Sequence, residues 1–251
     1  MLAAGRGRRL GGDNDTHAPK ALLRFDGKTL LARHLETLKA LNVADLTLVV
    51  GYRRDDILAE LARAAAPGFV RTVVNPDFHE GSNLSLAKAG DTLASGATVL
   101  FMDADVLYHP DMIRRLLASA HESCLLLDRD IEAGEDPVKI CQYNGTLVDF
   151  GKIVHAKYDQ VGEWPGFARF SPRLAARLGA AVAKLVATGR RDAPYEDAMR
   201  DVFLSEPPGT VGVEDITDLP WIEIDFPSDL ERARTTVMPR IAAMTSSPVR
   251  G

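Results

Sequence analysis

The chain is 251 residues long, 46% hydrophobic and of formal net charge -5; it can bury a substantial core, and it lacks the broad basic face that tracks nucleic acid. No apolar stretch reaches transmembrane length, and the first residues lack the charged start, apolar middle and small-residue cleavage site of a signal peptide. The two cysteines, Cys124 and Cys141, have no metal or redox spacing, so they read as buried thiols of a cytoplasmic protein with no membrane partner.

Thr29 stands where an N-cap belongs, and Leu30, Leu31, Leu35, Leu38 and Leu41 recur behind it at helical spacing. The apolar run Leu46 to Val50, closed by Gly51, predicts a buried strand. Asp55 to Ala66 repeats the helical pattern, Val70 to Val74 the strand, Leu84 to Leu93 a helix and Thr98 to Met102 a further strand. Such alternation predicts an α/β fold with a mainly parallel, doubly wound (Rossmann-like) sheet in one domain over 1–241. After a helix over Pro110 to Ala120 and a strand over Cys124 to Leu127 the rhythm changes. Val138 to Tyr143 and Thr146 to Phe150 flank Asn144-Gly145, a strong hairpin signal. Helices follow over Ser171 to Ala187 and Tyr195 to Leu204, then a strand over Trp221 to Ile224 and a closing helix from Pro227. The antiparallel hairpin and helices, about 135–210, read as an insertion covering a site, and 242–251 as a flexible tail. There is no internal repeat, which excludes solenoids.

Four segments carry chemistry. Leu2-Ala3-Ala4-Gly5-Arg6-Gly7-Arg8-Arg9 is followed by Pro19-Lys20-Ala21-Leu22: small residues let the backbone approach a planar base and a phosphate chain, and Arg9 and Lys20 supply charge for a triphosphate. A Gly-x-Gly turn alone is common; the lysine where the loop re-enters apolar sequence is what gives it meaning. Asp103-Ala104-Asp105 closes an apolar strand, at the carboxyl end where α/β sheets bind ligands, and a spacing of two sends both carboxylates to one face, fit for an oxygen-loving Mg²⁺. Asp225 ends the run Trp221 to Ile224, and Asp229, in the first turn of the next helix, reads as a cap. Gly81-Ser82-Asn83-Leu84-Ser85 opens a helix with short polar side chains.

This combination, recurring in order along nearly the whole chain, resembles the nucleotidyltransferases of the GT-A-like, MobA-like group. The resemblance implies transfer of a nucleotide from CTP or another NTP to a small phosphorylated acceptor, with Mg²⁺ as cofactor and pyrophosphate as product. It puts Leu2, Ala3, Ala4, Gly5, Arg6 and Gly7 at the nucleotide, with Gly81, Ser82, Asn83 and Ser85 at the base and ribose and Asp103 beside them. Arg9, Lys20, Asp105 and Asp225 become the catalytic set, Asp105 and Asp225 holding the metal. Members of the group open with a longer apolar strand, so either the start of this sequence is truncated or its central strand, from Leu2, is shortened.

A narrower likeness, to phosphocholine and 2-aminoethylphosphonate cytidylyltransferases, rests on Asp136 to Ile140, Phe150-Gly151-Lys152, Trp164 to Phe170 and Tyr195 to Ala198. It points to CTP and to Lys139, Lys152, Glu163, Tyr195, Glu196 and Asp197 as acceptor contacts. Lysines would hold the phosphate or phosphonate; acids or aromatic faces would meet an ammonium. A homodimer is the assembly expected. The rival readings are a sugar-1-phosphate nucleotidylyltransferase using another NTP and, from another class, a non-catalytic nucleotide-binding module.

Overall fold

The apolar runs that predict strands stand side by side in the computed structural model, which describes residues 1–11, 17–131 and 137–246. Leu46–Val50, buried at every residue, pairs in parallel with Val70–Val74 on one side and with the two-residue strand Leu2–Ala3 on the other. Leu2 reaches across to Asp103, at the end of the strand Val99–Met102, through a parallel bridge. Further out, Phe167–Phe170 runs antiparallel between Val99–Met102 and Ser123–Leu127, and Val211–Asp215 lies parallel to the latter. The α/β architecture is as expected, with an antiparallel strand in its middle.

The strand Leu2–Ala3 is two residues long. The Met1 ammonium is buried, donates to the Thr47 carbonyl at 3.0 Å, and is lowered to about 6 by desolvation against the opposing pull of Asp103.

Helices cover both faces, and each presents an apolar stripe. On Leu30–Ala40 the Thr29 hydroxyl accepts from Ala32 N at 3.0 Å and the buried face is Leu30, Leu31, Leu35 and Leu38. On the opposite face, Ser171 caps Pro172–Ala187, whose stripe Leu174, Ala175, Leu178 and Val182 packs against Phe101, Leu125 and Phe170. Each such fully buried Leu or Phe contributes roughly 1.5–3 kcal/mol. The segment expected as one helix over 84–93 is two, Ser82–Lys88 and Gly90–Leu93.

Asn144 and Gly145, at φ 48° and 74°, turn the hairpin Lys139–Tyr143 and Thr146–Gly151, and Gln160–Glu163 adds a third antiparallel strand. The buried Asp149 fixes the segment after it: its carboxylate accepts from Arg200 Nε at 2.7 Å and from the amides of His155 and Ala156. Burial alone would raise that carboxyl, but these donors hold it at about 2. Lys152 is thereby presented from an anchored loop.

The closing helix Met238–Ser246 takes in 242–246, which the sequence reading gave to a tail; 247–251 lie outside the described residues. Among the described residues no helix is long and apolar enough to cross a membrane.

Candidate active site

Asp105 and Asp225, 120 positions apart in the chain, are brought together by a strand pairing. Val106–Tyr108, which follows Asp105, runs antiparallel to Trp221–Glu223, which precedes Asp225, and Ile224 N donates to the Asp105 carbonyl at 3.0 Å. Behind Asp105, the buried His34 bonds through Nε2 to the Ala104 carbonyl and through Nδ1 to the Tyr108 hydroxyl, both at 3.2 Å. A ring that donates at Nε2 and accepts at Nδ1 is neutral, and desolvation lowers this imidazole to about 4. Asp229 does cap: its carboxylate accepts from the amides of Asp225 and Phe226 at 2.9 and 2.7 Å, fixing the backbone from which Asp225 projects.

Lys20 lies between the two acids. Its ammonium donates to Asp105 Oδ2 at 2.9 Å and to Asp225 Oδ1 at 2.5 Å, while Arg9 pairs with Asp225 Oδ2 at 2.7 Å. Burial alone would lower the lysine, but the two carboxylates hold it above its ordinary value. Gly7, at φ 67°, lets the lysine stem pass: a Cβ there would meet Lys20 Cγ and Cε at 3.1 Å. Leu2, Ala3, Gly5 and Gly7 line a small hollow with Lys20 and Asp105. Ala4 is buried, its carbonyl accepting from Tyr52 N at 3.0 Å, and Arg6 lies in the same opening loop.

Glu223, not among the residues singled out in the sequence, joins these acids. One carboxylate oxygen each of Asp105, Glu223 and Asp225 lies within 4.8 Å of the others. Three hard oxygen donors of that spacing fit a divalent cation such as Mg²⁺ and suit a soft metal poorly. Desolvation, then the facing charges of Asp105 and Asp225, push the Glu223 carboxyl well above the usual range. Its signal was present in the chain: Glu223 and Asp225 share the spacing of two that marked Asp103 and Asp105.

Asp103 faces the other way along the cleft. Its Oδ2 accepts from the Tyr195 hydroxyl at 2.5 Å, and Gly166, at φ 82°, packs so close that a Cβ would come within 2.7 Å of that oxygen. Burial and then Asp105 raise Asp103 far above the ordinary carboxylate range, opposed by the tyrosine. Lys152, Glu163, Tyr195 and Glu196 line the cleft with Asp103 and Asp225.

Two residues expected at the acceptor lie elsewhere. The Lys139 ammonium donates to the Lys152 carbonyl at 2.9 Å, bracing the anchored loop, and Asp197 pairs with Arg190 at 2.8 Å on the surface. Glu196 lines the cleft with Lys152, while Asp197 joins these two only in a neighbouring hollow.

In the segment expected at the base, Gly81 abuts the backbone of Arg191 and Asp192, Ser82 Oγ accepts from Tyr195 N at 3.1 Å, and Ser85 Oγ accepts from Asn75. These three hold the fold locally. Asn83 differs: its amide is buried, and neither Oδ1 nor Nδ2 has a hydrogen-bond partner among the described residues.

The MobA-like NTP transferase domain family matches residues 1–147. The chain is 29% identical over 252 residues to the bifunctional IPC transferase and DIPP synthase of Rubrobacter xylanophilus, covering 99% of this chain and 54% of that protein. It is 30% identical over 240 residues to the CMP-5'-(3-aminopropyl)phosphonate synthase of Streptomyces rubellomurinus, covering 93% and 37%. The chain thus spans about half or less of the length of these two curated relatives. The solved structure of CTP:phosphocholine cytidylyltransferase from Streptococcus pneumoniae superposes with a TM-score of 0.69 at 22% identity, over 92% of this chain and 94% of that one, which is a likeness of fold.

Proposed function

Because the chain belongs to the MobA-like NTP transferase domain family, we propose that it is a Mg²⁺-dependent cytidylyltransferase. It moves CMP from CTP to a small phosphorylated or phosphonate acceptor and releases pyrophosphate. The observation that carries this is the meeting of Lys20 and Arg9 with Asp105 and Asp225 beside the glycine-rich opening loop. The choice of CTP is supported by the relatives, two of which bear CTP or CMP in their names.

In this reaction an acceptor oxygen attacks the α-phosphorus in line, the bond from that phosphorus to the β-phosphate bridging oxygen breaks, and pyrophosphate departs. The nucleophile is already anionic near neutral pH, so no protein base is needed. Catalysis rests on placement and on charge. Arg9 and Lys20 transfer their charge from the carboxylates to the triphosphate and stabilise the leaving group. Mg²⁺ held by Asp105, Asp225 and Glu223 would neutralise phosphate charge and orient the α-phosphate. Lys152 with Glu163, Tyr195 and Glu196 forms the acceptor side.

The test is incubation with Mg²⁺, each of CTP, UTP, GTP, ATP and dTTP, and a panel of phosphorylated and phosphonate acceptors, reading pyrophosphate. Release with CTP and an amino- or hydroxyalkyl acceptor is expected. Release with only another triphosphate and a sugar 1-phosphate would replace the reading, and nucleotide binding without release from any acceptor would make the chain a binding module.

A further inference from the structure

The side of the cleft away from the carboxylate cluster is lined by Lys152, Glu163, Trp164, Tyr195 and Glu196, with Phe226 at the rim. Resting on the reading of this side as the acceptor pocket, its chemistry separates two acceptor types that share a phosphate and a positive charge. A quaternary ammonium has no N–H and is recognised through open aromatic faces. A primary ammonium has three N–H donors and seeks oxygen acceptors.

The aromatic faces are occupied. Trp164 is 4% exposed, lies nearly parallel to Phe101 at 5.9 Å, has Phe150 and Tyr195 edge-on at 5.2 and 6.2 Å, and donates its indole N–H to the Phe167 carbonyl. Tyr195 is 7% exposed, packs on Phe101 at 5.1 Å, and spends its hydroxyl on Asp103. Phe226 is exposed, but the Arg9 guanidinium stands over its ring at 5.3 Å. None of the three is arranged as the wall of an aromatic cage.

The oxygen side is different. Glu196 Oε2 is buried without a hydrogen-bond partner among the described residues. A carboxylate oxygen in that position lacks donors that water would give it, and a ligand N–H restores them. Glu163, a second acid, lines the same side.

We propose that the acceptor's end remote from its phosphate is a primary ammonium whose N–H groups bond to Glu196, and that a trimethylated ammonium is selected against. Glu196 is then the residue that sets acceptor specificity. A site built around a donor rejects the analogue lacking it far more strongly than an apolar pocket rejects extra methyl groups.

The experiment is calorimetric titration of the full chain with phosphoethanolamine, phosphocholine and the hydroxyl analogue ethylene glycol monophosphate, with Mg²⁺, with and without α,β-methylene-CTP, for wild type and Glu196→Gln. Phosphoethanolamine should bind at least about tenfold more tightly than either analogue to wild type, and the gap should shrink to about threefold or less in Glu196→Gln. Equal or tighter phosphocholine or glycol phosphate binding, a gap unchanged in Glu196→Gln, or no binding of any of the three would overturn the proposal. The affinity gap with no pyrophosphate released from CTP would leave it standing and sink the cytidylyltransferase reading instead.

Discussion

The two sides of the cleft handle charge in opposite ways. On the side proposed for the nucleotide, Lys20 and Arg9 are already paired with Asp105 and Asp225; on the side proposed for the acceptor, Glu196 keeps a buried oxygen without a donor among the described residues. A ligand entering the first side must exchange partners, so the free energy it gains is a difference between two good arrangements. A ligand entering the second side supplies what is missing, and that makes the second side the place for selectivity.

The harshest way to break this contrast is to remove an acid from the paired side. Asp105→Ala or Asp225→Ala should cut turnover at least about a hundredfold while circular dichroism reports an intact fold, and near-normal activity in both variants would refute their assignment.

The rigidity of the paired side rests in part on neutral His34 behind Asp105. Its imidazole titrates at about 4 in the fold against an ordinary 6.5, so between these values the unfolded chain takes up a proton that the folded protein refuses. Stability is therefore full above about 6.5 and falls as the pH drops toward 4, by roughly 3 kcal/mol from this residue. Urea unfolding across that window should show a shallower decline for His34→Gln than for wild type; identical slopes would exclude the imidazole as the source.

The smallest effect sharpens the comparison most. If Lys20 competes with a divalent cation for the two aspartates, Lys20→Met should bind Mn²⁺ about tenfold more tightly than wild type in the absence of nucleotide, although its turnover collapses. Equal Mn²⁺ affinity in the two proteins would mean that the ammonium and the ion do not share the site.

How much of this was legible beforehand follows the same division. Asp105 and Asp225 each follow an apolar run, and the carboxyl end of such a run is a location that a sequence reveals, although the strand before Asp225 is antiparallel. Glu223 hid because one acid in an alternating strand reads as its solvent face. The strand Phe167–Phe170 hid behind Pro165-Gly166 and Arg169, which interrupt the apolar pattern. The acceptor side was read less well because charge alone does not give direction. Lys139 and Asp197 have the right chemistry and point away, and the bond from Tyr195 to Asp103 joins residues 92 positions apart that no local pattern links.

Lys20 also bears on how this protein can be handled at the bench. With a resident ammonium between Asp105 and Asp225, stripping divalent ions does not leave the two acids to repel one another across a dry gap. The polypeptide should keep its native shape through chelating resins, storage and dialysis, and in the proposed reaction a divalent ion would act as an exchangeable reagent and not as a structural staple.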